Sequence, residues 1–373
     1  MKCRISCVLA VVASVTMVNS AHSTAALVYY GGPVLSNAQI VMVNWNSNVP
    51  AETQTGMPTF YGDIAQSDYW TVFLEYGTSI VAHDGSQGTN QQIGFGTFVR
   101  AFTIAPSKCS GTTACTLLDT DIDAELSSQI AASQLPPPTT DAAGNVNTVF
   151  MVHFPPNITI SQRGADSCAS GGFCATSSAF SYGGLSVPTG IIPDQGGACA
   201  TGCGGGAGGY FQIETYTSIF VLADLVTDPL SADATVLDNP LAWYDPLNGD
   251  ISIVCSAKPT DLATIVANGN TYNVAKLWSN HYNACMVSDG VHVVVKPSAG
   301  SDGKIIPGVP RAVAIGTTTT FTIAPDPGYA AIMGGTCGGS LAGTAYTTNA
   351  VTSDCTVTAS FIDRIFADGF ESP

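Results

Sequence analysis

Asp224, Asp228 and Asp250 are the side chains in this sequence best placed to do chemistry together. The first two lie in Tyr216-Thr-Ser-Ile-Phe-Val-Leu-Ala-Asp-Leu-Val-Thr-Asp-Pro229, where Ile219, Leu222, Ala223 and Val226 recur at helical spacing. Thr217 or Ser218 is expected to cap this helix, and Pro229 to end it, because a proline pushes the preceding residue out of the α region. Phe220 is four residues before Asp224 and so shares its side of the helix, with Val221 next to it. A metallohydrolase helix would carry a His and a catalytic Glu at those two places. Three carboxylates with no clustered histidine suit zinc poorly. Calcium accepts such oxygens, so a structural calcium ion is the cation these residues would take.

The remaining polar residues point to bland roles. Asp224 and Asp228 read most simply as helix-end carboxylates. His153, inside the apolar run Val149–Phe154, reads as a hydrogen-bonded core histidine rather than a general base. His83, His281 and His292 are scattered, with no acid or nucleophile at motif spacing. Ser301-Asp-Gly-Lys304 matches Ser-x-x-Lys but falls in a turn between strand-like runs. Gly202-Cys-Gly-Gly-Gly-Ala-Gly-Gly209 lacks the Lys-Ser/Thr of a phosphate loop and reads as a surface loop. Asn157-Ile-Thr159 is a glycosylation sequon only in a eukaryotic secretory pathway.

The elements that would position these residues alternate between strand and helix patterns. Gln39–Trp45 and Val146–Phe154 are nearly continuous apolar runs, as expected of strands buried on both faces. Phe98–Ile104 reads as another strand. Tyr61–Tyr76 and Asp121–Ser133 read as helices, the second closed by Pro136-Pro-Pro138. The pattern predicts an α/β fold, a mixed sheet layered with helices. From His292 the texture becomes β-branched runs separated by Gly, Pro and Asp turns, which predicts a small all-β domain over 290–361.

Composition bounds the function classes. The 373 residues are 10% charged and 45% hydrophobic, with 39 Gly, 21 Pro and a net charge of −16. That balance disfavours nucleic acid and anionic membranes as partners. Lys2 and Arg4, the apolar stretch Val8–Val18 and the small residues Ala21–Ala26 form a signal peptide pattern over 1–26. The apolar stretch, at ~1.5 Å per residue, is too short to cross a ~30 Å hydrocarbon core, so no membrane insertion is expected. Of the 12 cysteines, Cys3 and Cys7 fall in the signal and leave an even number for an oxidising compartment. Neighbours in sequence are expected to pair: Cys109–Cys115, Cys168–Cys174, Cys199–Cys203, Cys255–Cys285 and Cys337–Cys355.

An ordered set of short motifs carries a resemblance: Tyr30-Gly-Gly-Pro-Val-Leu, Ser67-Asp-Tyr-Trp, Glu75-Tyr-Gly-Thr, Phe154-Pro-Pro, Phe173-Cys, Val226-Thr-Asp-Pro and Trp278-Ser-Asn. Over 27–289 the chain resembles bacterial secreted relatives of the plant Exordium, or phosphate-induced, family. Several such relatives look like metal-dependent hydrolases. Carried over by position, their Tyr-His step falls on Thr176 and Ser177, their helix His and Glu on Phe220 and Val221, and their second Glu on Asp224. The Asp of their Cys-terminated turn falls on Ile253. The resemblance thus implies a hydrolase frame without its ligands. Residues 290–361, with Pro325-Asp-Pro-Gly-Tyr and Cys337-Gly-Gly-Ser-Leu, resemble divergent internalin-type bacterial β-repeats. Residues 362–373 resemble a short tail found on secreted bacterial proteins.

The resulting expectation is an exported, non-catalytic binding or cell-surface protein whose partner is an extracellular protein or glycan. The alternative is a secreted hydrolase with a carboxylate-rich metal site built from Asp224, Asp228, Asp250 and His153.

Overall fold

The computed structural model describes residues 26–203, 206, 208–230, 240–256 and 261–364. The signal peptide expected over 1–26 therefore lies, up to residue 25, outside the described residues, as does the tail from residue 365.

The chain is mixed α/β, with several sheets and few helices. Its central sheet holds β1 (Gln39–Asn44), β2 (Thr97–Thr103), β3 (Thr148–His153), β4 (Thr176–Tyr182) and β5 (Leu185–Ile192), in the order β2-β1-β3-β5-β4. The first four in that order run parallel, and β4 is antiparallel to β5. The continuous apolar runs of β1 and β3 are explained by helices on both faces. Ile40, Met42, Val149 and Met151 face α1 (Ala51–Ile64) and α3 (Tyr210–Thr227). Val41, Val43, Phe150 and Val152 face α2 (Asp119–Ala131). β4 and β5 form a hairpin whose two central residues, Gly183 and Gly184, have φ of 59° and 83°. That is the positive-φ pair a tight hairpin turn requires.

Two helix expectations need correcting. The helix expected over Tyr61–Tyr76 is instead the end of α1, a turn, and a 3-10 helix over Asp68–Glu75. Ser67 marks the break, donating its hydroxyl to the Ile64 carbonyl at 2.9 Å. Thr217 and Ser218 do not cap α3, which starts seven residues earlier, after Gly209. The Thr217 hydroxyl bonds back to the Ile213 and Glu214 carbonyls inside the helix. Because α3 is buried on nearly every face, helical periodicity did not mark its first turns.

Two cysteine pairings are also corrected. Cys168 bonds Cys199 and Cys174 bonds Cys203, in place of Cys168–Cys174 and Cys199–Cys203. Cys199 and Cys203 are four apart on one helical turn, with the Cys203 amide donating to the Cys199 carbonyl at 2.9 Å. Side chains at that spacing are about 5–6 Å apart at Cβ, more than the ~3.8 Å a disulfide spans. They therefore reach outward to two points on the strand-bearing segment. Cys109–Cys115, Cys255–Cys285 and Cys337–Cys355 pair as neighbours.

After residue 290, eight strands form two four-stranded sheets with a common apolar cluster that includes Val295, Ile305, Phe321, Ile323 and Val357. Cys337–Cys355 is internal to this region. A fragment spanning 290–364, expressed under oxidising conditions, is expected to unfold cooperatively in urea. A fragment without a transition would show that the central sheet supplies part of this core. Peptide mapping without reduction is expected to recover Cys168 linked to Cys199 and Cys174 linked to Cys203; either local pairing would contradict the geometry given above.

Candidate functional site

The three aspartates singled out in the sequence meet at the C-terminal end of α3. Asp224 accepts bonds from the Ser252 amide at 3.1 Å and the Ser252 hydroxyl at 2.6 Å. Asp228 accepts from the Ala242 amide at 2.9 Å through Oδ1, while its Oδ2 has no partner among the described residues. All three side chains are buried. Burial, reinforced by the Asp250 carboxylate, pushes both Asp224 and Asp228 well above the usual carboxylate range. The cluster straps the turn at 249–255 onto the helix end.

A second polar group, of which only His153 stood out in the sequence, sits at the carboxyl edge of the sheet. The last residues of β1 and β3, Asn44 and His153, face each other in register. Chain connections leave these two strands in opposite directions, β1 toward β2 and β3 toward β5. Ligand sites in open α/β sheets favour this switch point. Here helices close it. His153 Nε2 is 2.9 Å from the Tyr61 hydroxyl on α1, and its Nδ1 is 2.9 Å from Glu214 Oε1 on α3. Thr53 donates to Glu214 Oε2 at 2.8 Å, and the Tyr210 hydroxyl lies 3.1 Å from both Thr53 Oγ1 and Asp194 Oδ1. Burial, with Glu214 adding to it, drives the Tyr61 hydroxyl far above its usual value, so it keeps its proton. The assignment that gives each ring nitrogen of His153 a partner has Tyr61 donating to Nε2 and the Nδ1–H donating to Glu214. His153 and Glu214 are 1% and 2% exposed, which leaves no approach for a substrate.

The remaining candidate places serve packing or pairing. Val221 is buried where α3 packs on β5: a Cβ added to Gly190 would lie 3.2 Å from Val221 and 2.7 Å from Met151. Phe220 turns away from it and lines a cavity of 280 Å³ beside the Cys174–Cys203 bond, together with Ala175 and Tyr216. Thr176 and Ser177 pair with Ile191 and Gly190, and the Thr176 hydroxyl donates to Gln162 at 2.9 Å. Ile253 is half exposed and packs over Gly249. Among the described residues, no three His, Cys, Asp or Glu side chains are arranged to hold a metal ion. A zinc ion does not fit at Phe220 and Val221, since neither side chain carries a lone pair.

No protein-family model, curated protein or solved structure matches this chain.

Glu214 is the residue whose importance sequence reasoning missed. The available signal was a carboxylate in a segment otherwise apolar or hydroxylic, within a chain only 10% charged.

The aspartate cluster gives a signed prediction. Carboxyls whose folded pKa is raised contribute stability below the usual carboxylate range and lose it as pH rises through the raised value. The contribution of this cluster to stability is thus expected to fall as pH rises above the usual carboxylate range. Asp228→Asn, which keeps Oδ1 and removes the charge at the unpartnered oxygen, should flatten this slope and raise stability at pH 8 by about 1–3 kcal/mol. Urea unfolding at about pH 4 and about pH 8 checks it; an unchanged slope would contradict the buried repulsion.

Proposed function

We propose that this is an exported binding or cell-surface protein on a hydrolase-like frame whose catalytic places have been given over to packing, followed by a β module that acts as a spacer or adhesive unit. The observation that carries this reading is Val221, where the frame requires a general base, buried against Met151 and Gly190. A carboxylate cannot replace it without losing its hydration in an apolar contact. The five disulfides fit an oxidising, extracellular setting. Among the described residues, no helix is long and apolar enough to cross a membrane. The partner in this reading is an extracellular protein or glycan.

A second reading has the unpartnered Asp228 oxygen take a calcium ion together with main-chain or water oxygens, since Asp224, Asp228 and Asp250 do not by themselves form a three-carboxylate site. A calcium-dependent rise in Tm that Asp228→Asn abolishes would support that reading over simple protonation.

The main reading predicts no chelator-sensitive hydrolysis of protein substrates by the purified mature chain. Phe220→His with Val221→Glu is expected to restore none, since the other positions remain Thr176, Ser177 and Ile253. The double variant should instead lose about 1–3 kcal/mol for each polar group left unsatisfied. Tightly held stoichiometric zinc together with chelator-sensitive cleavage by the wild-type chain would overturn the proposal.

A further inference from the structure

We propose that the pocket between the 3-10 helix Asp68–Glu75 and the segment 279–292 binds one or two rings of a neutral saccharide. The inference rests on the binding-protein reading and names its ligand class. The cavity measures 270 Å³, just under the about 300–1,000 Å³ typical of pockets for drug-sized ligands. Its apolar walls come from Val72, Leu74 and Met286. At its rim the Tyr282 ring is 40% exposed, with the His281 ring edge-on at 4.6 Å. An exposed aromatic face of this kind takes the C–H face of a sugar ring.

The polar groups select against other ligands. Glu75 accepts the His281 amide at 2.9 Å through Oε2, leaving its other oxygen for a hydroxyl. The Asp289 carboxylate is already used: Oδ1 accepts the Val291 and His292 amides at 3.0 Å, and Oδ2 lies 2.5 Å from His292 Nδ1. That contact fixes the His292 ring and leaves its Nε2 facing away from Asp289, free to meet a ligand hydroxyl, which can donate or accept. No Lys or Arg lines the cavity, so a phosphate, sulfate or uronate would have no counter-charge. A wholly apolar ligand would desolvate the second Glu75 oxygen, the His281 ring and His292 Nε2 without giving them partners. A neutral polyhydroxylated ring, with apolar faces and hydroxyl edges, satisfies both sets of groups.

The walls are fixed before any ligand arrives. The Tyr76 hydroxyl donates to the Trp278 carbonyl at 2.6 Å and accepts the Asn280 amide at 3.3 Å. The Tyr282 amide donates to Ser279 at 3.1 Å, and the Asp289 amide to Thr71 at 3.0 Å. Cys255–Cys285 anchors the adjoining strand. A preformed site of this kind loses little ordering entropy on binding.

The test is calorimetric titration of the mature chain with cellotriose, maltotriose, mannotriose, chitotriose and galactobiose. At least one is expected to bind saturably. Tyr282→Ala and Glu75→Gln should each weaken that binding about tenfold, with no change in the unfolding midpoint because both side chains are exposed. Binding that neither variant alters would overturn the site but leave the binding-protein reading intact. An absence of binding to all five sugars, or a protein ligand whose affinity Tyr282→Ala reduces, would overturn the saccharide assignment. Cleavage of a bound oligosaccharide that both variants slow would support the site and overturn the non-catalytic reading.

Discussion

The hydrogen-bonded chain from Tyr61 through His153 to Glu214 is the constraint on which the central body depends. It joins α1, β3 and α3 at the one point where the sheet's connections part, so each helix is positioned against the sheet by a polar bond within an apolar layer. Non-directional burial of Phe60, Ile64, Ile219 and Leu222 supplies the driving force. The chain of bonds supplies register, because a shifted helix would leave a buried imidazole or carboxylate without a partner. Removing one partner of such a pair costs about 3–5 kcal/mol.

This brace also explains why the switch point is not a site in this protein. Side chains that could exchange protons are present there, but each is saturated by a neighbour and sealed under α1 and α3. At the other end of α3, Asp224 is similarly engaged by Ser252. The exposed polar groups of the proposed saccharide pocket lie at the periphery, where the 3-10 helix meets the turn at 279–282. The walls of that pocket hang from buried anchors, Tyr76 and Trp278, which belong to the same apolar cluster as α1. A rigid interior and a preformed surface pocket are thus consequences of one packing arrangement.

Much of the sheet was legible in the sequence. The unbroken apolar runs at Gln39–Asn44 and Thr148–His153 announced strands covered on both faces, and His153 among them reads as a bonded core histidine. The start of α3 was not legible, because a helix buried on all sides has no amphipathic edge and its hydroxyl residues mimic caps. The disulfides of the central loop were misread for a geometric reason: adjacency in sequence says nothing about which way two side chains on one helical turn project. Glu214 and Tyr61 are 153 residues apart in sequence, and only the fold brings both to His153. The same holds for His281 and His292, which carry no motif and meet only at the pocket.

The central claim is that the polar chain is a brace rather than a dormant reaction centre. A double-mutant cycle on Tyr61→Phe and Glu214→Gln, read by urea unfolding at pH 7, tests it most directly. Coupling through His153 predicts a departure from additivity of about 0.5–3 kcal/mol. Strictly additive losses would contradict the account, since they would mean that α1 and α3 are held to the sheet independently of the bonds that meet at His153.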